Sequence, residues 1–297
     1  MNPEAKIHFI SFADGSFAFK LAGKRIHSEA ISMKVFESVT VWSLEKIKLI
    51  TPDIGKRISK KYIQNGRGCG YWSWKPFIIL ETLNKIANNE FILYADAGCE
   101  LINNEESIKT LRYMAVSNAD LILQDQTDSG YGTRKFGASE KIWTKNDLLD
   151  LTKLNSIERN LPQLGATWIL MRKTDKTIEL VRDWLELAFS KNFHYIDDSP
   201  SISANESVFQ EHRHDQSILS CLIKSKNLAA SKKFVEGSAS ISGKVILNSR
   251  SLGVSKPNRL LTSDLTQVVR YLLLTVEKHL LRYSLIRSLH LCIAKRF

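Results

Sequence analysis

Five short apolar runs, rich in β-branched and aromatic residues and separated by stretches of helical spacing, constrain this chain more than any other feature. They are "KIHFISFAD" (6–14), "VFESVTVW" (35–42), "EFILYAD" (90–96), "ADLILQD" (119–125) and "ATWILMR" (166–172). Between them, residues 19–33, 75–89 and 175–190, and a segment beginning near His214, space their apolar side chains as helices do. In 75–89 the apolar positions are Phe77, Ile78, Leu80, Leu83 and Ile86, with Pro76 where a first helical turn tolerates it. Strands alternating with helices predict an α/β fold, a single Rossmann-like domain around a mostly parallel central sheet. Such sheets bind ligands outside the carboxyl ends of their strands. Asp14, Asp96 and Asp125 stand at three such ends.

The rest of the chain sets limits on this reading. A 43% hydrophobic composition supplies one large core, and neither a Pro/Gly/Ser linker nor an internal repeat divides the sequence. The amino terminus lacks the pattern of a signal peptide, and no apolar stretch approaches the length of a membrane span. Cys69, Cys99, Cys221 and Cys292 are not at metal-ligand spacing, so neither a zinc site nor a disulfide framework is indicated. A cytoplasmic setting is expected. The formal charge of +11 is uneven: residues 246–297 hold nine basic and two acidic residues, a net +7. Two regions follow, a domain over 1–245 and a basic amphipathic helical tail over 246–297.

Three stretches carry candidate chemistry. In "FILYADAGCEL" a buried strand ends on Asp96 and drops to Ala97 and Gly98. A carboxylate there can hold a divalent cation against a diphosphate, with the small residues admitting a bulky ligand, or it can simply cap a turn. "NGRGCGYWSWKPF" (65–77) sets Arg67, Trp72, Trp74 and Lys75 around alternate glycines just ahead of a helix start, a place that attracts phosphate. No strand feeds those glycines, which argues against a dinucleotide fingerprint. The alternative is a tight turn with the tryptophans as core anchors. "EHRHDQSILSCL" (211–222) crowds His212, Arg213, His214, Asp215 and Gln216 before apolar helical residues; Asp215 alone can be a helix cap, but the cluster holds more polar groups than a cap requires.

Taken in order, "GYWSWKPFIILETL", "ILYADAGCEL", "QLGATWILMRKT" and "EHRHDQSILSCL" resemble bacterial glycosyltransferases of the GT-A fold that act in polysaccharide or lipopolysaccharide assembly. These are distantly similar to retaining galactosyltransferases. The resemblance implies a GT-A-like domain, a nucleotide-sugar donor (a UDP-sugar favoured) and a glycan or lipid-linked acceptor. It implies Asp215 and Gln216 beside the reacting carbon. Donor contacts would come from Asp14, Arg67, Trp74, Lys75, Asp96, Ala97, Gly98, Gln163, Ala166 and His214. It also implies Mn²⁺ or Mg²⁺ on Asp96, the first position of an Asp-x-Asp pair whose second acid is Gly98 here. If no metal is used, Arg67 or Lys75 would neutralise phosphate instead. Asp125 with Gln126, and Glu140 with Lys145, are either part of the acceptor site or ordinary solvated loop.

The tail interleaves Arg270, Lys278, Arg282 and Arg287 with leucines and valines at helical spacing. Such a segment suits an anionic membrane surface, placing the protein peripherally on the inner face of the cytoplasmic membrane; the other reading is a helix packed on the domain. A nucleic-acid-binding role is disfavoured, because no recognition module accompanies the charge. A catalytically inactive scaffold of the same fold, for which Gly98 is the best argument, and a nucleotidyltransferase are the remaining alternatives.

Overall fold

The computed structural model describes residues 5–116, 119–126, 133–228 and 245–247. In chain order the elements are β1 (Ile7–Phe12), α1 (Phe17–Met33), β2 (Ser38–Trp42), α2 (Leu44–Ile50), α3 (Pro52–Asn65), a single turn α4 (Gly68–Tyr71), α5 (Trp74–Leu83), β3 (Phe91–Ala95) and β4 (Glu100–Leu101). There follow α6 (Glu105–Val116), β5 (Leu121–Asp125), the short helices α7 (Thr133–Phe136), α8 (Glu140–Trp143), α9 (Asn146–Leu151) and α10 (Ser156–Asn160), then β6 (Leu164–Arg172) and α11 (Asp175–Phe189). A 3₁₀ segment (Ser190–Phe193), α12 (His214–Ser225) and β7 (Ile246–Leu247) complete the order.

The predicted α/β class is what the chain adopts. The central sheet has the order β2-β1-β3-β6-β5. β2, β1 and β3 pair in parallel, whereas β6 runs antiparallel to both β3 and β5, so four of the five strands point one way. One apolar layer gathers Ile58, Phe77, Leu180, Trp184 and Ile218 from α3, α5, α11 and α12 on one face. A second layer gathers Ile26, Met33, Leu111 and Met114 from α1 and α6 on the other. Alternation along β6 serves both, Trp168 entering one layer and Ile169 the other.

Two expectations need correction. The "ATWILMR" strand is longer than its apolar run and reversed, so its amino end, not its carboxyl end, meets the ends of β1 and β3. The helix expected over 75–89 stops at Leu83, where Asn84 caps it and the Glu90 carboxylate accepts the Ala87 amide in the turn that follows. At the domain division, Ile246–Leu247 pair antiparallel with Glu100–Leu101. Residues 248–297, which hold the rest of the basic tail, lie outside the described residues, so the expected membrane-binding helix does too.

Strand order reverses between β1 and β3: α1 carries the chain from β1 to β2 on one side, and α2–α5 carry it back to β3 on the other. That switch point is where an open α/β sheet forms its ligand crevice. Ser11 spans it by donating to the Ala95 carbonyl (2.7 Å).

The approach to the crevice is strained. Gly68, Cys69, Gly70, Tyr71 and Trp72 all have positive φ, a left-handed turn that costs each non-glycine residue about 1–2 kcal/mol. Gly70 cannot be replaced cheaply, since a Cβ there would lie 3.0 Å from the Ile58 carbonyl oxygen at φ +91°. Gly66 also has positive φ (+69°), but a Cβ there meets nothing within 4 Å. Gly70→Ala is expected to lower unfolding stability by about 2 kcal/mol or more and Gly66→Ala by about 1 kcal/mol, an ordering that urea denaturation of the two variants checks.

Candidate active site at the sheet switch point

The side chains at the crevice converge on one buried ammonium. Lys75, in the first turn of α5, has its Nζ 2.5 Å from Asp215 Oδ2 and 3.4 Å from Asp96 Oδ1, with its side chain 3% exposed. It also donates to the Ala166 carbonyl (3.0 Å). Asp96 leaves the end of β3, Asp215 opens α12, and Ala166 lies near the reversed start of β6, so four elements meet at this atom. Tyr94, two residues before Asp96 and on the same side of the strand, donates its hydroxyl to Asp96 Oδ1. Its ring lies 5.1 Å from the ammonium.

Electrostatics follow from burial and pairing. Burial works against the Lys75 charge, but Asp215 and Asp96 outweigh it and hold its pKa above the ordinary value. Burial pushes the Asp215 carboxyl up to about 6, although Lys75 opposes the shift. Burial, followed by the neighbouring Asp96 carboxylate, raises the Tyr94 hydroxyl well above its usual range, so it keeps its proton as a donor. Asp96 is the outward-facing member, with a side chain 33% exposed. Its Oδ1 is taken by Tyr94 and Lys75, while Oδ2 has no partner among the described residues.

Gln216 stands beside Asp215 and is aimed by Gln163, whose Oε1 accepts its amide (2.7 Å). Gln163 is fully buried, and its own amide donates to Thr144 Oγ1 (2.9 Å) and Ser217 Oγ (3.0 Å). It therefore positions rather than lines the crevice. His214 donates from Nδ1 to the Ile196 carbonyl (2.7 Å) and stacks on Trp72 at 5.2 Å. Burial pulls its pKa down to about 4, so the ring is neutral at pH 7. At φ +52° it is a further strained residue at the rim.

Other expected site residues sit differently. Asp14 spends both oxygens on backbone amides, those of Gly15 and Leu44 (each 2.7 Å), which ties the exit of β1 to the start of α2. Arg67 is engaged with Asp198 (3.1 and 3.2 Å) rather than free for a phosphate. Trp74 is buried, stacked on Phe12 at 3.8 Å, and donates to the Gly68 carbonyl, so it is the core anchor and Trp72 the partly exposed tryptophan. Ala97 is buried, and its carbonyl accepts from Arg25 (2.8 Å), as does that of Cys99 (2.8 Å). Gly98, between them, is half-buried. Arg25 was not foreseen; on the sequence it is one basic residue among several on α1.

Glu140 and Lys145 are neither solvated loop nor partners of each other. Glu140 is fully buried and pairs with Lys224 (2.5 Å). Lys145 is buried against the Asp197 and Ser199 carbonyls (each 3.2 Å). Gln126 is buried, and its backbone amide donates to the Gln163 carbonyl (3.1 Å). The side chain of Asp125 lies outside the described residues.

The donor set fits a resident metal poorly. Among the described residues no group of three His, Cys, Asp or Glu side chains is placed to hold an ion. Asp96 offers one free oxygen, Gly98 offers no side chain, and Asp215 is already matched with the Lys75 ammonium. Hard cations need several oxygen ligands.

No family model and no curated protein matches the chain. Among solved structures, that of apo mouse xyloside xylosyltransferase 1 aligns with 75% of this chain and 83% of its own at 11% identity, with a TM-score of 0.39. Apo glycosyltransferase GlyE of Streptococcus pneumoniae TIGR4 aligns with 74% of this chain and 44% of its own at 13% identity (TM-score 0.35). Galactosyltransferase LgtC, solved with donor and acceptor sugar analogues, aligns with 72% and 70% at 13% identity (TM-score 0.35). At such values the reading of the site rests on the residues themselves.

Removing Lys75 strands a buried carboxylate. Lys75→Met is expected to cost about 3–5 kcal/mol in chemical denaturation. Because Asp215 binds its proton more tightly in the folded state, its contribution to stability is full below its unfolded value near 3.8 and is lost as pH rises through about 6. Asp215→Asn should flatten that pH 4–6 component of the thermal-denaturation profile.

Proposed function

We propose that this chain is a glycosyltransferase that moves a hexosyl group from a nucleotide sugar, a UDP-sugar by preference, to a glycan or lipid-linked acceptor in cell-surface polysaccharide synthesis. The observation that carries the reading is the convergence of Lys75, Asp96 and Asp215 at the strand-order switch point; Gln216, the next residue on α12, is held by Gln163. Asp96 Oδ2 and the Gln216 amide are the polar groups available to sugar hydroxyls. Two carboxylates against one ammonium leave an excess negative charge, which suits a sugar ring that becomes positive at its anomeric carbon as the bond to the diphosphate lengthens.

The reaction breaks the bond between the anomeric carbon and the diphosphate oxygen, which leaves with the electron pair. The acceptor oxygen forms the new bond, and its proton passes to the departing diphosphate. Attack from the same face, with retention, accords with the resemblance of "HDQSIL" to retaining enzymes. Asp215 and Asp96 act on charge, Lys75 fixes both carboxylates, and Gln216 orients the sugar. No step is assigned to a metal ion.

The test is a thermal-shift titration of the full chain with UDP-, GDP-, CMP- and dTDP-sugars, followed by turnover with the donor that binds. One donor class should raise the melting temperature, and EDTA should leave that shift intact. Abolition of the shift by EDTA would return Asp96 to a metal-anchoring role. No shift and no donor hydrolysis with any of them would favour the inactive scaffold. With an active donor, Asp96→Asn is expected to lower kcat by about 10²-fold or more. The pH–rate profile should lose activity below about 6 as Asp215 takes up a proton.

A further inference from the structure

The charge that the tail does not account for lies in one place. With +7 on residues 246–297, the total of +11 leaves +4 for residues 1–245. Residues 44–66, the α2–α3 hairpin, hold six basic residues against Glu45 and Asp53, which is that whole excess. Arg57 and Lys61 are used inward, by the Phe189 carbonyl and Asp197. Lys48, Lys56 and Lys60 face outward and, with Ser59, Ile63 and Gln64, line an open depression of about 560 Å³. Glu45 pairs with Lys48 at 2.9 Å, whereas Lys56 and Lys60 have no ion-pair partner among the described residues.

Folding does not explain this surface. α3 is anchored by its opposite side, where Ile58 is fully buried and Ile54 and Tyr62 pack against the core. Lys56 and Lys60 are one helical turn apart, a spacing at which like charges destabilise a helix. Ile63 emerges on the same face, 84% exposed, and Leu49, next to Lys48, is equally bare at 84%. Cations with aliphatic tips between them match a surface that offers phosphate and hydrocarbon together.

We propose that the outer face of α2–α3 docks on an anionic phospholipid bilayer, with Lys48, Lys56 and Lys60 on the headgroup phosphates and Ile63 and Leu49 entering the interface. This contact belongs to the α/β domain, is separate from the tail, and stands whatever reaction the crevice performs. α3 runs directly into Arg67 and the left-handed turn before Lys75, so docking by this face holds the crevice-forming segment at the membrane.

The experiment is co-sedimentation of the full chain with phosphatidylcholine vesicles, with and without phosphatidylglycerol. Wild type should bind only the anionic vesicles. Each lysine near an anionic surface is worth about fivefold in affinity, so Lys56→Glu with Lys60→Glu should weaken binding by at least about 25-fold, and Ile63→Ser several-fold. A control with equal charge change, Lys24→Glu with Lys109→Glu on the helices of the opposite layer, should bind nearly as wild type, and melting temperatures of all variants should match. Equal binding by the patch variants and wild type would overturn the proposal and assign any membrane contact to the tail. So would failure of wild type to bind anionic vesicles, or an Ile63→Ser variant that binds them as tightly as wild type does.

Discussion

A single buried ammonium holds the functional end of this fold together. Lys75 brings α5, β3, β6 and α12 to one point, and each contact needs the others. Without Asp215 and Asp96 the charge would be too costly to bury; without Lys75 the two carboxylates would repel across a poorly hydrated space. The backbone carbonyl of Ala166 completes the shell and links it to β6. Such an arrangement adds little net stability compared with an apolar core of the same volume, yet removal of one partner is severe. Its value lies in fixing where two carboxylates point.

Delivering Lys75 to that point requires a backbone that L-residues resist. The left-handed turn from Gly68 to Trp72 reverses the chain after α3 so that α5 begins under the crevice, and Gly68 and Gly70 carry the positions where a Cβ would collide. Tyr71 and Trp72 are held there by packing, both rings lying 5.2 Å from that of His214. His214 is itself left-handed, immediately before Asp215. Strain thus sits on both sides of the ion pair, and the surrounding core offsets it. Local strain of this kind concentrates where geometry serves a function.

Much of this was legible in the sequence, and the rest was hidden for identifiable reasons. The apolar run ending on Asp96, and the polar crowding near His214, marked the end of β3 and the start of α12. The glycines before Lys75 marked a tight turn. Period-two alternation also places Tyr94 on the side of Asp96. Strand direction was not legible: the apolar pattern of β6 reads the same either way, and its reversal is what brings the Ala166 carbonyl to Lys75. Nor were partners distant in sequence. Arg67 and Lys75 look alike as cations near a helix start, but one is engaged by Asp198 at the surface and the other is sealed between Asp96 and Asp215. Glu140 and Lys145 read as acceptor site or as solvated loop, and each is buried with a different partner.

The charge arrangement also bears on how the proposed anionic donor would lie. Two unit charges about 4 Å apart interact by about 4 kcal/mol at the effective dielectric of a protein surface. A diphosphate set directly on the Asp96–Lys75–Asp215 cluster would meet its excess negative charge and be repelled by an amount of that order. A sugar ring set there meets hydroxyl acceptors in the ground state and an opposite charge as its anomeric carbon turns positive. For the proposed nucleotide-sugar donor, the same residues would therefore disfavour the phosphate end and favour the sugar end, so electrostatics would set its sugar over the cluster and its diphosphate away from it. In the proposed reaction, discrimination between ground state and transition state would then come from the one negative charge that Lys75 leaves uncompensated.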